Sequence, residues 1–380
     1  MKARVFKSNK KTLLFALEEL KENIKNSFKD YDFLLFAISP NYDYNYINHY
    51  IKKVFETDNY VAFHAIDAFC DNEIVEGVSV AVFKFENKGK IKIFYIEDID
   101  NKDSLIKTAE YLNNNTDKLH IILAGLGNKK KTGTFIEELS EYLNYSPINN
   151  IIGGISSGYK KNNEVLTYQF IDNKIIKNGF VILSFENIEF AIDIALGFKP
   201  YGITYTIEKA EGYKLFSVDD GKSFVKIAKS FFRGIDNPKT EYLWYCPIYI
   251  LDDKEGYVAK LRTIADLKED YVEFYGPLKD RQRFKLSFAT ADDLLKADKT
   301  SALKVNEKIN GLSEIIFNFS CIARQYVLED KQTQEIETYT SILNSHLFGF
   351  FTFGEIGPDK YFKKLKFYNE TSLILAMREK

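Results

Sequence analysis

Short apolar runs alternate with amphipathic stretches along the whole chain. Positions 8–27 carry Leu13, Leu14, Leu17 and Leu20 at helical spacing with Lys and Glu between them, which predicts an amphipathic helix. The run 33–38 predicts a buried strand closed by Ser39-Pro40, 46–55 a helix and 60–65 the next strand. An irregular charged stretch, 67–76, leads to strands at 78–85 and 90–96. The order returns as strand 120–125, helix 134–143, strand 151–158 running into a glycine-rich turn, and strands 165–171 and 180–185. It returns again as strand 315–320, helix 332–344, strand 348–355 and strand 371–377. A unit of strand, helix, strand into a distinctive turn, and strand therefore occurs three times, at spacings too irregular for a solenoid. The three turns read Ala65-Ile66-Asp67-Ala68, Gly154-Ile155-Ser156-Ser157 and Phe353-Gly354-Glu355-Ile356.

Between the second and third passes the pattern is strand-rich. Strands are predicted at 190–196, 202–207 and 213–218, the last two joined as a hairpin across Ala210-Glu211-Gly212. Asp219 and Asp220 stand where they would cap a helix over 223–232. Further strands are predicted at 245–251, 257–262, 271–275 and 284–288, and Ala291-Asp292-Asp293 opens another helix. No Pro-, Gly- or Ser-rich linker divides the chain, so the expected division is an N-terminal helix (1–29), a first domain (30–189) and a second (190–380). The expected fold is α+β, with mixed or antiparallel sheets and outer helices in a layered sandwich built from strand-helix-strand-strand units.

At 380 residues and 45% hydrophobic, the chain is long enough for more than one core. Its 52 Lys and Arg against 54 Asp and Glu give a net charge of -2, which offers no global attraction to nucleic acid or an anionic membrane. Cys70, Cys246 and Cys321 are odd in number and far apart, so no disulfide framework follows. The first residues lack the apolar core of a leader, and the longest apolar runs reach only strand length. The expectation is a soluble cytoplasmic protein without membrane insertion.

Candidate chemistry is sparse. Gly125 to Thr134 follows a strand and precedes a helix, but its lysines come too early for a phosphate loop, and it reads as a solvated basic loop. His49, His64, His120 and His346 are scattered singly, so neither a metal nor a cofactor is expected; His64, at the first turn beside Asp67, is the one with a functional alternative. Gly153 to Gly158 lacks the spacing of a nucleophile elbow. The richest stretch is Gly349-Phe350-Phe351-Thr352-Phe353-Gly354-Glu355-Ile356-Gly357-Pro358, a buried strand running into two glycines and a proline around one carboxylate. It reads either as a plain turn with Glu355 solvated or as a sheet exit where backbone approaches a ligand. Upstream, Cys321-Ile322-Ala323-Arg324 leaves a strand end. Cys321 is an inert buried thiol or a thiolate beside a cation; Arg324 binds a ligand carboxylate through its fork or forms a structural ion pair, with Glu355 as one partner.

These residues resemble the FIST family, named for F-box and intracellular signal-transduction proteins. The stretch 349–358, followed by Asn369-Glu370-Thr371, matches that family's closing motif almost throughout, and Cys321 to Arg324 resembles its Cys-x-x-Arg strand end, with Ala323 where glycine is common. Gly202, Ala210-Glu211-Gly212, Asp220-Gly221 and Leu261-Arg262-Thr263 sit where the opening of FIST C has them; Ile152-Gly153-Gly154 and 179–184 resemble the end of FIST N. The departure is at 63–69, where the family usually shows Gly-Cys-Ser-Thr-x-Gly-Glu. The resemblance covers about 30–380 and implies a stand-alone sensory module for a small ligand, amino acids having been proposed, that signals through a separate output protein. It implies a site in which Arg324 holds an anionic group, Glu355 accepts from an ammonium or fixes Arg324, and Asn369 and Thr371 add neutral hydrogen bonds. Cys321, Gly354, Gly154, Ser156 and Ser157 would line it. The alternatives are an interaction scaffold, using Lys129 to Lys131 and the insert at 252–255, and a thiol-dependent enzyme using Cys321 or His64.

Overall fold

A computed structural model describes residues 1–129, 131–161, 164–231, 239–251 and 258–380. Lys130, Phe232, Tyr257 and the insert at 252–255 lie outside the described residues.

Three six-stranded sheets share one order of parts. The first runs Lys2–Ser8, Val78–Lys84, Phe33–Ile38, Tyr60–His64, Gln169–Ile171, Lys174–Ile176. The second runs Lys90–Ile96, Phe180–Glu186, Leu119–Ala124, Ile151–Ile155, Glu355–Pro358, Leu365–Tyr368, and the third Ile188–Ala195, Ser372–Glu379, Ile315–Cys321, His346–Thr352, Ala68–Cys70, Glu73–Val75. Each has an edge strand, an antiparallel neighbour, and a parallel pair connected through a helix: Ile47–Phe55, Thr132–Tyr142 or Gln332–Leu343. Each is completed by a hairpin from elsewhere in the chain. The first stretch lends Ala68–Cys70 and Glu73–Val75 to the third sheet, the second lends Gln169–Ile171 and Lys174–Ile176 to the first, and the third lends Glu355–Pro358 and Leu365–Tyr368 to the second. Strands from both sides of residue 190 therefore interlace.

This arrangement explains the unbroken apolar runs. The inner faces of all three sheets meet in one core that includes Leu35, Phe63, Leu123, Leu183, Phe317, Phe350 and Leu375. Their outer faces pack under helices, with Leu17, Leu20 and Ile51 over the first sheet, Phe135 and Leu139 over the second, and Ala302, Val305 and Ile336 over the third. A strand covered on both faces loses the alternation that a half-solvated strand shows. A fourth sheet of eight strands occupies 199–288 and has its own core around Ile207, Phe224, Ile248, Phe274 and Phe284.

The fold is mixed α and β with outer helices, as expected, and several elements differ from their predicted form. Lys2–Ser8 is a strand paired along Val78–Lys84, so the helix begins only at Leu13. The charged stretch 67–76 contains the lent hairpin, and Lys102–Asn113 is a helix beyond those expected. Asp219 accepts from the Thr206 amide rather than capping the helix Phe224–Phe231. The supposed turn at Glu355 is the start of a strand. Among the described residues, no helix is long and apolar enough to cross a membrane.

Candidate functional site

The three distinctive turns are the points where the chain leaves one sheet to lend a hairpin to another, and they bond to each other. The Ile66 amide donates to Ser157 Oγ at 3.0 Å, the Ile155 amide to the Gly354 carbonyl at 2.8 Å, and the Phe351 amide to the Asp67 carbonyl at 3.0 Å. Parallel strands end together here, an edge where loops can surround a ligand. Beside this junction lies a cavity of about 280 Å³. Leu126, Gly158, Lys160 and Val165 supply one wall, and Trp244, Thr263 and Tyr275, from the segment that carries the fourth sheet, supply another. Cys321, Ile322, Ala323, Phe353 and Asn369 complete it.

Cys321 ends its strand opposite Thr352, and its amide donates to the Thr371 carbonyl at 2.9 Å. Gly354 then reverses the chain at φ 145°, where a Cβ would lie 2.3 Å from the Phe367 ring. A Cβ at Gly154 would meet Thr352 at 2.6 Å, so the two glycines permit the close crossing of the second and third turns. The crossing buries Glu355 completely. Its carboxyl accepts from the Thr352 hydroxyl and from the amide and hydroxyl of Thr371 at 3.2 and 2.7 Å. Burial nonetheless pushes it up to about 8, against these hydrogen bonds and one from the Cys321 thiol. Glu370 is equally buried and sits at φ 59°, an uncommon conformation for a residue with a side chain. Thr263 Oγ1 donates to its Oε1 at 2.9 Å, and burial pushes this carboxyl also to about 8. Among the described residues, Glu370 Oε2, Asn369 Oδ1 and Trp244 Nε1 have no hydrogen-bond partner.

The expected site residues divide. Cys321 and Asn369 line the cavity. Glu355 and Thr371 stand directly behind Cys321, and Gly354 and Gly154 shape the crossing. Ser156 and Ser157 are buried ties: Ser156 Oγ accepts from Gln169 Nε2 at 3.1 Å, and Ser157 holds Ile66. Arg324 is not among the lining residues. Its guanidinium grips Asp298 with bonds of 2.8 and 2.7 Å and reaches Glu335 at 3.4 Å. Burial opposes its charge, but Asp298 and Glu335 hold it protonated. The ion-pair alternative is therefore the geometry found, with Asp298 and Glu335 in place of Glu355.

Burial and the neighbouring Glu355 and Glu370 push the Cys321 thiol well up, opposite to what a nucleophilic thiolate requires. His64 is buried against Tyr44, Tyr168 and Phe170, and desolvation takes its imidazole down to about 3. No group of three or more His, Cys, Asp and Glu among the described residues could hold a metal. Sequence reasoning missed Trp244, Thr263 and Tyr275, which reach the cavity from a separate sheet, and gave Glu370 no role. Thr263 and Glu370 both lay within the recognised motifs, so those motifs were a signal.

One further buried cluster fastens the fourth sheet to the rest. Glu137, on the helix Thr132–Tyr142, receives both Lys260 and Arg262, the latter at 2.6 Å. Arg262 Nη1 also donates to the Phe367 carbonyl at 3.0 Å. Burial, with Arg262 adding to it, pushes the Lys260 ammonium down to about 7 while Glu137 pulls it back. The cluster adjoins Thr263, so the sheet that supplies one cavity wall is anchored next to that wall.

Comparison with known proteins gives a consistent result. The family models for the FIST N domain and the FIST C domain match residues 32–221 and 231–358. An uncharacterized protein of Aquifex aeolicus (strain VF5) is 37% identical over 264 residues, covering 67% of this chain and 97% of the relative.

Proposed function

The chain belongs to the FIST family, and from that premise we propose that it is a small-ligand sensor whose site is the cavity between Trp244, Cys321 and Asn369. FIST domains are associated with sensing in signal transduction. The observation that carries the reading is a cavity of about 280 Å³ whose walls are largely apolar and whose polar atoms Asn369 Oδ1 and Trp244 Nε1 are without partners among the described residues. Apolar walls with a few convergent polar groups characterise small-molecule sites. An amino-acid-like or carboxylate metabolite suits this cavity: its apolar body packs on Trp244, Tyr275 and Phe353, and a carboxylate meets Lys160 at the exposed rim. The signal passes to a separate output protein, and the proposed setting is the cytoplasm. A thiol-dependent reaction is disfavoured by the raised Cys321 thiol.

The scaffold reading has one observation in its favour. Tyr201 and Phe288 pack edge-on on the fourth sheet near Ile203, and all three are exposed, Ile203 at 66%.

A thermal-shift screen of amino acids and small carboxylates tests the sensor reading. A ligand at 100 times its dissociation constant stabilises the folded state by about 2.7 kcal/mol. Ala323→Leu places a larger side chain in the cavity wall and is expected to abolish the shift while leaving the unliganded midpoint nearly unchanged. A shift retained at full size in both Ala323→Leu and Trp244→Ala places the ligand elsewhere and overturns the assignment.

A further inference from the structure

The wall formed by Asn369 and its neighbours has a feature that a generic apolar cavity lacks. Two fully buried carboxyls stand behind it: Glu355 in contact with the lining Cys321, and Glu370 bonded to the lining Thr263. Among the described residues neither forms an ion pair, and Glu370 Oε2 and Asn369 Oδ1 both lack partners. Glu370 is held in this position at φ 59°, a strained backbone for a residue with a side chain. Strain, burial and unmatched acceptors coincide at one place.

Resting on the cavity assignment above, we propose that this wall is a proton-releasing subsite for a ligand amine. The ligand's ammonium donates to Asn369 Oδ1 and draws negative charge onto the Glu355–Glu370 pair, one of whose carboxyls gives its proton to solvent. The balance is simple: a neutral carboxylic acid and an ammonium become a carboxylate facing an ammonium, and one proton leaves to the buffer. No covalent bond to the ligand forms or breaks.

The surrounding charges favour this polarity. Glu355 faces Thr352, Thr371 and the Cys321 thiol. Glu370 faces Thr263 and feels Glu355 and, more weakly, the Arg324 guanidinium. Arg324 is already engaged by Asp298 and Glu335. Tyr275 stands across the cavity, and Lys160 lies at the exposed rim. An anionic group at Asn369 would find no free cation among the described residues at that depth. Burial raises both acids to about 8, so at pH 7 the neutral form dominates in the unliganded protein. An ammonium supplies the counter-charge whose lack keeps them protonated.

Isothermal titration calorimetry with phenethylamine, hydrocinnamate and phenethyl alcohol tests the proposal. These probes share one aromatic body and differ in the charge of the end group. The amine is expected to bind at least about tenfold more tightly than the carboxylate. Its heat should vary with the ionisation enthalpy of the buffer as release of roughly one proton requires, and its affinity should rise by about tenfold per pH unit while the acids are neutral in the free protein. Glu370→Gln keeps the shape but removes one titrating acid; it is expected to weaken the amine by about tenfold and leave phenethyl alcohol unchanged. Should that variant fail to fold, the buffer-dependent heat of the unaltered protein decides alone. Tighter binding of hydrocinnamate, or amine binding without proton release, overturns the proposal while leaving the cavity assignment intact. Absence of binding by all three also overturns it, and a metabolite shift that survives both Ala323→Leu and Trp244→Ala then removes the cavity assignment as well.

Discussion

Two buried polar clusters flank the strand end at Cys321, and they differ in whether their charged groups have a counter-charge. In one, Arg324 Nη2 donates to both carboxylate oxygens of Asp298 and Nε reaches Glu335, while Tyr339 donates to Asp298 and bonds to Ser372. Each ionic group there has a partner of opposite charge. In the other, Glu355 and Glu370 are just as deeply buried, yet neither has a cation partner among the described residues, and their supporting bonds come from threonines and a thiol. The first cluster joins the helix Ala291–Lys308 to the strand end; the second adjoins a cavity. Burial and charge alone make both look functional. Hydrogen bonding alone does not separate them, since Arg324 Nη1 and Glu335 Oε1 are also without partners among the described residues; the counter-charge does, and it separates a fastening from a site able to receive something.

The largest effect that sharpens this comparison is expected at Arg324. Arg324→Met leaves Asp298 and Glu335 buried without their cation and should cost about 3–5 kcal/mol in chemical denaturation. A variant that keeps its stability but loses ligand binding would reverse the roles of the two clusters. Glu137→Gln comes next. It strips the partner from Lys260 and Arg262, and because Lys260 can shed its proton the loss should be smaller, about 3 kcal/mol. Hydrogen exchange should rise first at 258–263, where the fourth sheet is fastened. Uniform exchange across the protein would show that Glu137 does not hold that sheet in particular.

The contrast also explains what could be read from the sequence. The long apolar runs identified the three central strands of each of these sheets, because burial on both faces leaves composition as a signal even where alternation is lost. The lent hairpins were harder: Ala68–Cys70 is only three residues long, and its partner Phe348–Phe350 lies far along the chain. Glu355 was legible as special because two glycines and a proline surround it, but its partners, Thr352 and Thr371, converge only through a crossing between sheets. Arg324 was legible as important and its partner was not. Asp298 sits on a helix whose pattern gives no sign that this one aspartate faces inward. Trp244 and Tyr275 arrive from a helix end and a strand end in a segment with its own core, a juxtaposition that local spacing cannot encode.

An effect that is smaller per pH unit distinguishes the acids. Glu355 and Glu370 ionise near 4.5 when unfolded and are raised to about 8 when folded. Their neutral burial therefore contributes fully below 4.5 and is progressively lost as pH rises toward 8. Each acid should lower unfolding stability by about 1.4 kcal/mol per pH unit across that window. Glu370→Gln should remove one such contribution from the slope. An unchanged slope would mean that Glu370 is ionised in the folded protein, and the contrast between the clusters would disappear.

The smallest expected effect is at Cys321, where the two-acid environment predicts very little reaction. Its thiol is buried and pushed well above the ordinary value, whereas Cys246 is half-buried and only raised. Because the thiolate is the reacting form, iodoacetamide should label Cys246 well before Cys321 in the native protein, as read by peptide mass spectrometry. Labelling of Cys321 should follow only as fast as the fold opens, so denaturant should accelerate it far more than it accelerates Cys246. An amine bound at the neighbouring wall acts in two ways. It covers the cavity, which slows access, and the carboxylate it leaves behind keeps the thiol protonated. Both slow the chemistry, and a Cys321 that labels faster than Cys246 would place an accessible thiolate, rather than a pair of neutral acids, at the centre of this site.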